Sequence, residues 1–82
     1  MTRAQIALIV RDAVRQAARE FDVLPSQAHN PTRYGSTPAQ TAARDVAIRL
    51  AAEQGLGPHT LAEAFSRDVR TIRNALKLTS PD

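Results

Sequence analysis

Residues 62–78 read AEAFSRDVRTIRNALKL, and this stretch decides the fold of the chain. Its apolar residues recur at intervals of three and four, which is the spacing of a helix with one buried side. Ser66 and Arg67 interrupt the pattern, as a tight turn does between two helices. The stretch therefore predicts two short helices joined by a turn, the second running from about residue 69 to residue 78.

The spacing within this stretch is that of a helix-turn-helix. Such a motif needs a small residue where the helices cross, a turn, and an apolar residue that locks the second helix onto the first. Ala62 takes the first position, Ser66 and Arg67 form the turn, and Ile72 takes the third position. Apolar support is expected from Leu61, Phe65, Val69 and Leu76.

The net positive charge of the chain lies in the same stretch. The sequence has 11 Lys or Arg and 8 Asp or Glu, a formal net charge of +3 at pH 7. Four cations and one anion between residues 66 and 78 account for all of it, and seven of each sign elsewhere cancel. Because a compact basic face attracts a phosphate backbone, the sequence predicts binding to double-stranded DNA.

With the apolar stripe inward, the polar residues of the last helix face outward. Arg forks onto guanine, Asn pairs with adenine, Thr contacts a thymine methyl or a phosphate, and Lys pairs with phosphate. The first turn of such a helix enters the major groove deepest, so we expect base contacts from Arg70, Thr71 and Asn74. The expected phosphate ligands are Arg67, Arg73 and Lys77.

Asp68 and the arginines of the first helix each admit two interpretations. Asp68 can cap the last helix or accept a hydrogen bond from cytosine N4. Arg11, Arg15 and Arg19 lie at i, i+4 and i+8 and form one ridge. The ridge either contacts phosphates or is a solvated face, and the carboxylates that would offset its charge are Asp12, Glu20 and Asp22.

The rest of the chain predicts further helices and no strand. Capping boxes are expected at Thr2, at Thr37 and at Thr60, the last with Glu63. Residues 22–37 form the predicted loop, with a helical turn near residues 26–28. The helix after Thr37 should end near residue 54. The expected inward residues are Ile6, Ile9, Val10, Ala13, Val14, Ala17 and Phe21, then Ala43, Val46, Ala47, Leu50 and Ala51.

We therefore expect one all-α domain over residues 1–82, a compact bundle of four to five helices with the helix-turn-helix at about 60–78. Without Cys, and with His29 and His59 far apart in loops, we expect no metal, no cofactor and no enzymatic activity. The apolar run at residues 6–10 is too short for a membrane span, so we expect no membrane partner and a cytoplasmic protein.

From Ala42 onward the chain resembles the C-terminal DNA-binding domain of the bacterial replication initiator DnaA, a helical fold related to the Trp repressor. The matching segments are Ala43-Arg44, VAIRLA at residues 46–51, LAEAF at 61–65, Arg67-Asp68, Thr71-Ile72 and Ala75. No Gly-rich Lys-Ser/Thr loop is present in the sequence, so we expect no ATP-driven initiation by this chain. The resemblance implies an excised domain or a free-standing relative, such as a small regulator or a mobile-element protein, associated with the nucleoid of a bacterium or encoded by a phage.

The resemblance also implies roles for particular residues. Asp68, Val69, Arg70 and Thr71 take the positions that read bases, Arg44 takes a phosphate-contact position, and Arg33 is the loop candidate for the minor groove. The chain departs from the family where His and two Thr become Val69-Arg70-Thr71, and where Gln becomes Asp45. These departures predict that the chain recognises a DNA sequence different from the one that the family binds.

A protein-interaction module that retains the fold without DNA binding is the alternative function. The departures at Asp45 and Ala52, and a loop with a single arginine, motivate it. Exposed Leu8 or Leu56 would then join an apolar contact surface. Under either function, a second copy of the chain or a larger protein is an open possibility as a further partner.

Overall fold

A computed structural model describes residues 1–29 and 37–78 and forms five α-helices over them. The helices are α1 (Arg3–Phe21), α2 (Pro25–His29), α3 (Pro38–Glu53), α4 (Pro58–Ala64) and α5 (Val69–Leu78). Neither of the two described ranges contains a strand. The Cα radius of gyration is 11.6 Å, close to the roughly 12 Å of a folded chain of this length. The predicted all-α bundle of four to five helices is confirmed.

Two of the predicted helix starts have the expected capping boxes. The Thr2 hydroxyl accepts from the Gln5 backbone N–H at 3.1 Å, while the Gln5 side chain accepts from the Thr2 N–H at 2.7 Å. Thr37 and Gln40 make the same reciprocal pair at 3.2 and 3.3 Å. Each box satisfies two backbone groups that a helix end otherwise leaves without partners.

The third capping box, predicted at Thr60 and Glu63, is wrong. The helix α4 begins at Pro58 with Gly57 as its N-cap, and no side chain caps it. Proline is favoured at the first helical position because its fixed φ suits a helix and its missing N–H is not needed there. Thr60 therefore lies inside the first turn, where its hydroxyl cannot take the N-cap role.

The core is built around α3, which packs against all four other helices. The helices α1 and α3 are in extensive contact, and Ala17 of α1 and Ala43 and Ala47 of α3 are fully buried. Small side chains let the two helix backbones come close. The largest fully buried side chains are Ile48 of α3, Leu61 of α4, Phe65 directly after α4, and Ile72 of α5.

The predicted inward stripes were too narrow. Ala18 and Ile48 are buried although neither was included, and Leu56 is only 6% exposed although an exposed position was expected. The cause for Ile48 is that α3 has neighbours on several sides, so a single stripe does not describe its buried surface. Leu8 is exposed as predicted, at 59%.

The predicted loop at residues 22–37 contains α2, which agrees with the helical turn expected near residues 26–28. The helix α2 packs on α1 and α3, and Ala28 is fully buried. Arg33, the candidate for the minor groove, lies outside the described residues. None of the helices in the described ranges has both the length and the apolar content to cross a membrane.

Candidate functional site

The turn between α4 and α5 is closed by backbone hydrogen bonds. The N–H of Ser66 donates to the carbonyl of Glu63 at 3.2 Å, and the N–H of Arg67 donates to that of Ala62 at 2.9 Å. Ser66 has a φ of 52°, in the left-handed region. This pairing is the Schellman motif, which ends a helix and sets the direction of the chain that follows it. The turn therefore determines where α5 begins.

Asp68 caps α5 at its N-terminus. Its carboxylate accepts from the backbone N–H of Arg70 at 3.3 Å, and its own carbonyl accepts the first helical hydrogen bond from Ile72 at 3.2 Å. A carboxylate at this end also interacts favourably with the positive end of the helix dipole. Capping, one of the two roles predicted for Asp68, is thus present, and the cytosine contact stays a prediction.

The inner side of α5 is apolar and holds the helix against α3 and α4. Ile72 is fully buried and Ala75 nearly so, while Val69 and Leu76 are half-buried. Ile72 therefore takes the locking position that the sequence predicted for it. Since one side of this short helix is anchored, its opposite side is presented to solvent in a fixed orientation.

The outer side of α5 carries the predicted DNA ligands. Arg70, Arg73, Asn74 and Lys77 are exposed, and Thr71 is half-buried. Within residues 1–29 and 37–78, no carboxylate forms an ion pair with Arg70, Arg73 or Lys77. Three cations along one exposed helix face produce a positive potential, which attracts a partner that carries negative charge.

Arg67 differs from the cations of α5 because it is half-buried. Its Nε atom has almost no solvent contact, and the residue lines a depression between α4 and α5 together with His59, Ala62 and Val69. Its guanidinium is therefore held near the turn, whereas the cations of α5 extend into solvent. Of the three predicted phosphate ligands, Arg67 therefore exposes less of its side chain to solvent than Arg73 and Lys77 do.

Arg44 lies on α3 and is already engaged with its neighbour. Its Nη2 and Nε atoms donate to Asp45 Oδ1 at 3.1 and 3.3 Å, and its side chain is 15% exposed. The residue predicted to contact phosphate is therefore already paired within the protein. A phosphate would have to compete with Asp45 for the guanidinium.

His29 supports the turn from outside the motif, which the sequence did not predict. Its Nε2 donates to the carbonyl oxygen of Ala64 at 2.7 Å, and its ring lies 5.3 Å from that of Phe65. The expectation that His29 and His59 lie in loops was wrong: His29 is the half-buried last residue of α2, and His59 is an exposed residue in the first turn of α4. Since 35 residues separate it from Ala64, no local pattern signals the contact.

No protein-family model, no curated protein and no solved structure matches this chain. In the part of the chain that the structure describes, no three His, Cys, Asp or Glu side chains come together as metal ligands would.

Proposed function

We propose that this protein binds double-stranded DNA by placing α5 in the major groove. The observation that carries the proposal is the two-sided character of α5, buried through Ile72 and Ala75 and exposed through its cations. The major groove is wide enough for one α-helix. A helix anchored on one side and basic on the other fits both the shape and the charge of that groove.

The base contacts in this proposal come from the N-terminal half of α5. Arg70 and Asn74 are exposed and lie one turn apart, so both side chains point to the same side of the helix. Arg reads guanine through N7 and O6, and Asn reads adenine through N6 and N7. Thr71 is half-buried, so its contact would be limited to a methyl group or a phosphate.

The phosphate contacts in this proposal come from Arg73 and Lys77, with Arg67 at the edge of the turn. All excess charge of the chain lies in this segment, so counterion release would supply much of the affinity. The resemblance to the DnaA domain supports the same orientation of the helix. It further suggests a small regulator of replication or transcription in a bacterial or phage cytoplasm.

The test is fluorescence anisotropy of the chain with a random-sequence duplex pool at several salt concentrations, followed by sequencing of the bound DNA. We expect salt-dependent binding and an enriched motif. Arg70→Ala should cost about 1–3 kcal/mol of binding free energy and relax the preference at one base position. Lys77→Ala should weaken binding to all sequences and reduce the salt slope by about one.

The matched control is Arg19→Ala, which removes an exposed cation from α1 and leaves α5 intact. We expect it to bind like the parent chain. An equal loss on Arg19→Ala would identify α1 as part of the surface. If the parent chain did not bind the pool at low salt, the DNA proposal would be overturned.

A further inference from the structure

A groove of about 770 Å³ lies between α1, α2 and α4, and none of the described residues assigned to DNA lines it. Its apolar lining comes from all three helices: Ile6, Ala7, Val10, Val14, Pro25 and Ala64. A concave surface with an apolar lining and a charged rim has the shape and chemistry to take the apolar side of an amphipathic helix.

The charge around the groove is mostly positive. Arg3, Arg11 and Arg15 line it from α1, and Glu63 lines it from α4. All four side chains are exposed. Arg11 and Arg15 lie one helical turn apart on the same side of α1, and Arg3 lies at the start of that helix. An occupant with carboxylates on the side that faces α1 would be attracted, and one with cations there would be repelled.

The length of the groove suits a short helix. The residues of α1 that line it extend from Arg3 to Arg15, which is about 18 Å of helix axis at 1.5 Å per residue. An amphipathic helix of about three turns would cover this distance and place anchors at i, i+3, i+4 and i+7 on the apolar lining.

A second copy of the chain is a poorer occupant. A two-fold interface places the same surface of both copies in contact, so the arginines of one α1 would meet those of the other. Like charges in contact oppose association. The charge of the groove therefore favours an acidic partner.

We propose that this groove binds an acidic amphipathic helix of a partner protein. Apolar anchors of that helix contact Ile6, Ala7 and Pro25, which are the more accessible part of the apolar lining. Its carboxylates pair with Arg3, Arg11 and Arg15. None of the described lining residues belongs to α5, so the groove and the basic face of α5 share no side chain.

The experiment uses the full chain and a labelled peptide of about 14 residues, with Leu at i, i+3, i+4 and i+7 and Glu on the flanking positions. The comparison peptide has Lys in place of Glu. We expect saturable binding of the Glu peptide by anisotropy and no binding of the Lys peptide. Amide chemical-shift changes should be concentrated at Ala7, Val10 and Ala64.

Two pairs of variants locate the site. The double substitution Arg11→Glu with Arg15→Glu should weaken peptide binding by about tenfold or more, whereas Arg19→Glu on the same helix should leave it unchanged. Ala7→Glu should block the groove, while Ala4→Glu, also exposed but not lining it, should not. Circular dichroism melting of each variant shows whether it is folded.

Three results would overturn the proposal. The first is equal binding of the Glu and Lys peptides, and the second is shift changes confined to α5. The third is binding of anionic phospholipid vesicles that depends on Arg11 and Arg15, without binding of the Glu peptide. Retention of peptide binding by Arg70→Ala would separate this site from the DNA surface, so either proposal can fail alone.

Discussion

Ser66 adopts a backbone conformation that glycine accepts more easily. Its φ of 52° lies in the left-handed region, where side chains with a Cβ are strained, yet the turn between α4 and α5 requires it. The two hydrogen bonds of the Schellman motif offset this strain, because they hold the turn in place. Helix-turn-helix turns commonly use glycine at this position, and this chain departs from that preference.

Ser66→Gly should therefore stabilise the protein. Relief of the left-handed strain outweighs the greater unfolded-state entropy of glycine, and the expected net gain is about 0.5–1 kcal/mol. Urea unfolding followed by circular dichroism measures it. The same change at Ser26, which lies in α2, should not stabilise the chain because a helical residue needs no positive φ. A gain at Ser26 equal to that at Ser66 would contradict the explanation.

His29 is the residue whose contact reaches furthest along the chain. Its hydrogen bond to Ala64 and its ring contact with Phe65 join α2 to the end of α4. The last carbonyls of a helix have no partner within the helix, so this donor satisfies one of them. His29 thereby helps to fix the turn from which α5 starts.

His29→Ala should destabilise the fold by about 1–3 kcal/mol through loss of the hydrogen bond and the ring contact. His59→Ala is the matched control, because His59 is exposed on α4, and its effect should stay within about 0.5 kcal/mol. Chemical denaturation of both variants measures the difference. Equal effects would show that the contact at Ala64 carries no stability.

At the scale of elements, the helices α3 and α4 differ in how their N-termini are capped. Thr37 caps α3 through its hydroxyl, whereas Thr60 lies within the first turn of α4 and caps nothing. Thr37→Ala should cost about 1 kcal/mol, and Thr60→Ala should cost less than about 0.5 kcal/mol. Thermal unfolding ranks the two. A larger loss at Thr60 would argue for a helix start at that residue.

The elements also differ in how much of them the sequence predicts. The start of α1, the start of α3 and the full span of α5 follow from caps and periodicity, and all three are as expected. The start of α4 was misplaced because two local signals, Pro58 and Thr60, competed. The proline prevailed, since its φ already suits a helix.

At the scale of the whole molecule, close approach of α1 and α3 depends on small side chains. Ala47 has no exposed surface and lies on α3, around which the other helices pack. Ala47→Leu should force these helices apart and cost about 1–3 kcal/mol. Ala4→Leu, at an exposed position of α1, is the control and should cost little. Guanidinium unfolding at equilibrium compares them, and equal stability would mean that the interface has room.

The candidate site was largely predictable residue by residue. Arg70, Arg73, Asn74 and Lys77 are exposed because they lie opposite Ile72 on a helix whose period is readable in ten residues. The salt bridge between Arg44 and Asp45 was not predicted, although the two residues are adjacent. It depends on how far the packing around α3 shields their side chains from solvent.

The sequence by itself determined the helical class, two capped helix starts, the extent of α5 and the placement of its excess charge. These features depend on interactions between residues at most four positions apart, so a linear pattern contains them. Only the tertiary structure decided that Ile48 and Leu56 are buried, that His29 reaches Ala64, and that α1, α2 and α4 enclose a groove. Each of these depends on residues distant in the chain, whose proximity arises from the packing of helices around α3.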